Sequence, residues 1–141
     1  MSESATETAP PGGIDYLEEE ASPRFVELKR KHRMTSIMIS HNLAVVSTSC
    51  EHIAVMYLGR IAERGPAGNI LSAPLHPYSR ILLSAAQGKG SPLTGDVPSP
   101  VNPPAGCRFH TRCPDAMPVC ATARPAEADI DGVRVACHFY R

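Results

Sequence analysis

Three apolar residues in a row, Ile37, Met38 and Ile39, run into the polar pair Ser40-His41, and apolar positions resume at Leu43. The first part, without polar alternation, predicts a strand over 36–40 buried on both faces. The second predicts a helix from Asn42 to about Cys50. A histidine at a strand end just before a helix stands where parallel α/β sheets place groups that touch ligands, so His41 is a functional candidate as well as an ordinary strand-end residue. Upstream, Ser22-Pro23 reads as an N-cap followed by proline at the first helical position. Phe25 and Leu28 share a face of that helix. Lys29, Arg30, Lys31 and Arg33 fall in its last turns, where cations suit the helix dipole. Downstream, residues 52–65 predict two strands joined at Leu58-Gly59, with Gly59 supplying the positive φ of a tight hairpin. Pro66 opens a short helix to Ser72. Tyr78–Gln87 predicts another helix, with Ile81, Leu82 and Ala85 on one side.

From Gly88 the texture changes. Pro92, Pro98, Pro100, Pro103, Pro104, Pro114, Pro118 and Pro125 exclude long helices and central strands. At the other end, residues 1–20 hold six acids and no lysine or arginine, and Pro10-Pro11-Gly12-Gly13 breaks any regular element. The expected organisation is therefore a disordered acidic arm over 1–21, a folded segment over 22–87, and a loop-rich segment over 88–141 that needs a staple.

Charge adds only exclusions. Fourteen basic residues balance fourteen acidic ones, so no general signal for nucleic acid or an anionic membrane arises. The longest apolar run, around Ile53–Leu58, is far short of the ~20 residues that span a bilayer. The polar, acidic start does not read as a secretory leader, and the expected location is the cytoplasm. Gly88-Lys89-Gly90-Ser91 echoes a phosphate loop but fails the pattern: Leu83 stands where the first glycine belongs, and Gly90 follows the lysine.

Cysteine carries the remaining chemistry. Four of the five lie in the proline-rich segment, Cys107, Cys113, Cys120 and Cys137, spaced C-x5-C-x6-C-x16-C. Four thiolates can close around a tetrahedral zinc or an iron–sulfur cluster, and a metal would supply the folding free energy that this aromatic-poor segment lacks. The spacing does not choose between the two, and two disulfides are a third reading, disfavoured in a reducing compartment. His110 and His138 neighbour these candidates. Arg108 and Arg112 flank them and could offset thiolate charge. Cys50, apart from the group, reads as a small buried residue.

Residues 25–141 resemble the C-terminal portion of the ATP-binding subunits of bacterial ABC importers for dipeptides and oligopeptides. Three stretches carry the resemblance: "SIMISHNLAVV", "HIAVMYLGRIAERGPAGNIL" with "HPYSRILLSA", and "GDVPSPVNPPAGCRFHTRCPDAMPVC" ending in "VACHFYR". The first is similar to ABC ATPases generally; the last resembles the peptide and nickel importers in particular. The resemblance implies an α/β chain: the C-terminal fragment of a P-loop ABC ATPase domain, then a Cys-stapled extension. It implies that His41 is the catalytic histidine reaching the γ-phosphate of ATP, with Mg as the nucleotide's metal. It implies a [4Fe–4S] cluster on Cys107, Cys113, Cys120 and Cys137, with zinc as the alternative. It also implies a second ATP-binding subunit and permease subunits as partners, and a peripheral position at the inner face of the membrane. Asn42 departs from the family's usual aspartate.

Within the chain there is no P-loop, no Leu-Ser-Gly-Gly-Gln signature and no acidic strand end for magnesium and a catalytic base. The expectation is a truncated ATP-binding subunit, silent alone and active only when complemented by a P-loop half. A stand-alone iron–sulfur or zinc module and a non-functional gene remnant are the alternatives.

Overall fold

The computed structural model describes residues 13–89, 93 and 95–140, with side chains from Pro23 onward. The chain forms two compact units, residues 1–49 and 50–141.

In the first unit, helix α1 runs Gly13–His32 and α2 runs Leu43–Ser49. The arm expected through residue 21 is thus helical from Gly13, and its first twelve residues lie outside those described. Pro23 sits inside α1 rather than opening it. The run Leu17-Glu18-Glu19-Glu20 is made of good helix formers, which carry the helix across the proline. Arg33 closes α1 in the left-handed region at φ 51, and Met34 N donates to Lys29 O at 3.0 Å, the six-to-one bond of a Schellman motif. The strand expected over 36–40 does not form. Residues 34–40 have no regular structure, and Ile37 and Ile39 are 95% and 96% exposed. The physical reason is pairing: a strand of this kind is stable only between neighbours, and among the described residues it has none. The α2 cap is as expected, since Asn42 Oδ1 accepts from Ala44 N at 3.0 Å and Val45 N at 3.4 Å.

In the second unit, β1 (His52–Tyr57) and β2 (Arg60–Pro66) form the expected hairpin. Leu58 and Gly59 turn it with φ of 44 and 73, both positive, as a two-residue turn matched to strand twist requires. Helices α3 (Ala67–Ser72) and α4 (Pro77–Ala86) follow. The buried face of α4 is Ser79 and Leu83, one turn apart, rather than the predicted Ile81, Leu82 and Ala85. The proline-rich segment then contributes α5 (Pro118–Thr122), two single turns of 3-10 helix, and a second hairpin, β3 (Ala128–Ile130) and β4 (Val133–Val135). β4 pairs antiparallel with β2, giving a four-stranded antiparallel sheet ordered β1-β2-β4-β3. The segment beginning at residue 88 is therefore built into the sheet of the preceding hairpin. Val135, Ile70, Phe109, Val133, Ala62 and Tyr57 are among the residues of the buried core. Among the described residues no helix is long and apolar enough to cross a membrane.

Candidate functional site

His41 lies in the first unit, exposed, in the bend between the irregular stretch and α2. Its neighbours fix the local path: Asn42 N donates to Ser40 Oγ at 3.0 Å while the Asn42 side chain caps α2. This holds the backbone on both sides of His41 and leaves the imidazole facing solvent.

The second unit gathers the four cysteines of the C-terminal segment. Cys107 N donates to Cys120 O at 2.8 Å, which draws the loop at 107 onto the end of α5. Gly106 permits the approach. Its φ is 66, and a Cβ there would stand 2.3 Å from Cys120 O. Cys120 and Cys137 are buried, Cys107 and Cys113 half-buried, and none is in a disulfide.

The thiols sit close enough to feel one another's charge. Burial is the main force raising Cys107, and the Cys120 and Cys137 thiolates add to it. Burial pushes Cys113 up to about 11, with further pressure from Asp115, Cys107 and Cys137. Cys137 is raised by burial and by Cys120, against a pull downward from the Arg80 guanidinium. Backbone N–H groups oppose these shifts: Phe109 and His110 on Cys107, Asp115 on Cys113, and Phe139 on Cys137. Such N–H donors stabilise sulfur once it carries charge, which is what a thiolate ligand needs. The group is nevertheless open: among the described residues, no three His, Cys, Asp or Glu side chains converge to hold a metal ion. The donor chemistry fits a thiophilic metal or cluster, and the sulfurs would have to draw together around it.

The flanking residues bond main-chain oxygens. The His110 ring bonds Cys107 O at 2.8 Å and the His138 ring bonds Ala123 O at 2.9 Å, so both imidazoles fix backbone. Arg108 donates to Leu58 O, tying the loop to the hairpin turn. Arg80 on α4 is the cation felt by Cys137.

Two buried residues were not singled out in the sequence. Glu63 on β2 is wholly buried, and its Oε2 accepts from Leu75 N at 2.8 Å and His76 N at 2.7 Å. His76 is 3% exposed and caps α4, with Nδ1 accepting from Tyr78 N at 3.1 Å. Burial first, then the Arg80 charge, lower its pKa to about 4, so the ring is neutral with its proton on Nε2. The signal for His76 was available in the His-Pro pair, since proline at the first helical turn marks the residue before it as the cap. Glu63 gave no such signal, because a carboxylate within a strand reads as solvent-facing.

Residues 62–120 match the model of the family described as "Oligopeptide/dipeptide transporter, C-terminal region". The putative oligopeptide transport ATP-binding protein YkfD of Bacillus subtilis is 42% identical over 124 residues, covering 81% of this chain and 38% of that relative. The di/tripeptide transport ATP-binding protein DppF of Pseudomonas aeruginosa is 44% identical over 121 residues, covering 81% of this chain and 38% of the relative. A probable peptide ABC transporter ATP-binding protein of Sinorhizobium fredii is 44% identical over 121 residues, covering 80% and 34%. The chain thus spans little more than a third of the length of these curated relatives. By its C-terminal region, it belongs to the oligopeptide/dipeptide transporter family of peptide ABC transporter ATP-binding proteins.

Proposed function

We propose that the chain works as the C-terminal part of an ATP-binding subunit that energises import of dipeptides and oligopeptides. The observation that carries this reading is the likeness to peptide transport ATP-binding proteins over four-fifths of the chain, at 42% and 44% identity. Its partners on this reading are a second ATP-binding subunit and permease subunits, which hold it at the inner face of the membrane.

His41 is the residue of this chain that meets nucleotide. An imidazole open to solvent can donate one hydrogen bond to a γ-phosphate oxygen, a bond that strengthens as charge develops in phosphoryl transfer. Binding of ATP and Mg and activation of water need groups this sequence lacks. The isolated chain is therefore expected to hydrolyse no ATP; measurable turnover by the pure 141-residue chain contradicts the proposal.

Cys107, Cys113, Cys120 and Cys137 would hold a [4Fe–4S] cluster, or zinc in its place. Bound there, a metal would supply folding free energy to the proline-rich segment and keep the raised thiols of Cys107, Cys113 and Cys137 ionised. The N–H groups of Phe109, Asp115 and Phe139 are placed to support that charge. Anaerobic purification followed by iron, acid-labile sulfide and zinc analysis tests it. Iron with matching sulfide supports the cluster, zinc alone supports the alternative ligand, and a folded, metal-free chain that takes up neither overturns both.

A further inference from the structure

A cleft of about 780 Å³ opens between the β1–β2 hairpin and the C-terminal segment, with Cys107 in its wall. That volume suits a small organic ligand. Its buried lining is aromatic: Tyr57 and Phe109 meet edge to face with centroids 5.1 Å apart, and the His76 ring stands 5.9 Å from Phe109. Three arginines, Arg60, Arg108 and Arg124, line the same space. The one carboxylate there, Glu127, is already paired with Arg64 at 2.9 Å. Arg108 is bound to Leu58 O. Arg60 and Arg124 are exposed and have no hydrogen-bond or ion-pair partner among the described residues.

Like charges gathered at one cleft repel, and low-dielectric walls focus their field on whatever enters. An aromatic lining below unpaired guanidiniums is complementary to a molecule with an apolar body and an anionic head. His76 adds a neutral donor: its Nδ1 is occupied as the acceptor for Tyr78 N, so its Nε2 carries the proton.

We propose that this cleft is a binding site for a small organic anion, a carboxylate, sulfonate or phosphate with a flat apolar body. The body packs on Tyr57 and Phe109, and Arg60 and Arg124 hold the head. The site requires neither ATP nor metal, so its test is independent of the transport reading.

Anilinonaphthalene sulfonate, an aromatic anion, and its uncharged relative phenylnaphthylamine separate the two parts of the proposal. Titrated by fluorescence into the full chain, the sulfonate is expected to bind about tenfold tighter than the neutral dye, the margin of a charge-assisted hydrogen bond. In the Arg60→Gln/Arg124→Gln double variant its affinity is expected to fall about tenfold while that of the neutral dye is unchanged. Both substitutions fall on exposed, unpartnered side chains, so the thermal midpoint stays at the wild-type value; Arg124→Gln alone gives a smaller loss in the same direction. Equal binding of the two dyes, no binding of the sulfonate, or sulfonate binding indifferent to the double substitution overturns the proposal.

Discussion

His76 makes the fold sensitive to mild acid, by an amount that follows from its surroundings. The ring is buried, its Nδ1 accepts the Tyr78 N–H at the start of α4, and the Arg80 guanidinium lies near enough to repel a second positive charge. Protonating Nδ1 replaces an acceptor with a donor facing a donor. The pKa is accordingly lowered from 6.5 to about 4. In the unfolded chain the ring takes its proton near 6.5, so the unfolded state binds more protons between these values and stability falls as pH falls. The contribution is intact above 6.5 and is lost progressively as pH drops to about 4. At about 1.4 kcal/mol per pH unit, the whole displacement is worth about 3 kcal/mol, a large share of a small domain's stability. His76→Asn keeps a side-chain acceptor at the cap and removes the titration. Urea unfolding of the full chain at a series of pH values from 7 to 4 would compare the two proteins. Taking the difference between the curves cancels the other histidines and the carboxylates. Wild type is expected to lose about 3 kcal/mol more than the variant across that window. Parallel curves, or a wild type that gains on the variant toward acid, would refute the reasoning.

Gly106→Ala places a methyl carbon 2.3 Å from Cys120 O at a positive φ, so a loss of about 2 kcal/mol or more is expected, read as a drop in the thermal midpoint; an unchanged midpoint would mean that the loop at 107 does not lie against α5. Tyr140→Phe removes a hydroxyl that accepts from Arg80 Nη2 at 2.9 Å and donates to Leu75 O at 3.1 Å. The expected cost is about 1 kcal/mol in urea unfolding, because both partners can turn to water; no cost would mean that the C-terminal tether is not formed. Asn42→Ala deletes the cap of α2, with about 1 kcal/mol of local stability, and should speed amide exchange in Leu43–Ser49 while leaving the β1–β2 hairpin unaffected.

The hairpin and the short helices were legible because each carries its own punctuation. Leu58-Gly59 turns β1 into β2, Pro66 opens α3, and the Pro77 ring opens α4. The second hairpin carries a sign of the same kind. Asp131-Gly132, with φ of 51 and 81, stands between short alternating strands, but the surrounding prolines argued for loop alone. Burial was less legible than element type. The apolar stripe of α4 pointed to Ile81, Leu82 and Ala85, whereas packing selected Ser79 and Leu83. Periodicity gives a face only when its partner is known. The stretch over 36–40 failed for a related reason: its composition is that of a strand between two neighbours, and the fully exposed Ile37 and Ile39 record their absence among the described residues. The four cysteines stand out as a group in the sequence because a loop-rich segment with several thiols has few other ways to order itself. Their mutual charge effects come from a fold that no spacing rule encodes.

The likeness to about a third of longer ATP-binding proteins carries the proposal that this chain completes a catalytic unit whose phosphate-binding part lies on other residues. The measurement that tests it most directly is ATP turnover by the chain mixed with a polypeptide carrying the P-loop, signature and acidic strand end of a relative, with wild-type and His41→Ala chains side by side. The account predicts no turnover by either component alone, turnover in the mixture, and a loss of about a hundredfold or more with His41→Ala. Turnover by the chain alone, a folded mixture that stays silent, or a mixture indifferent to His41→Ala would contradict it.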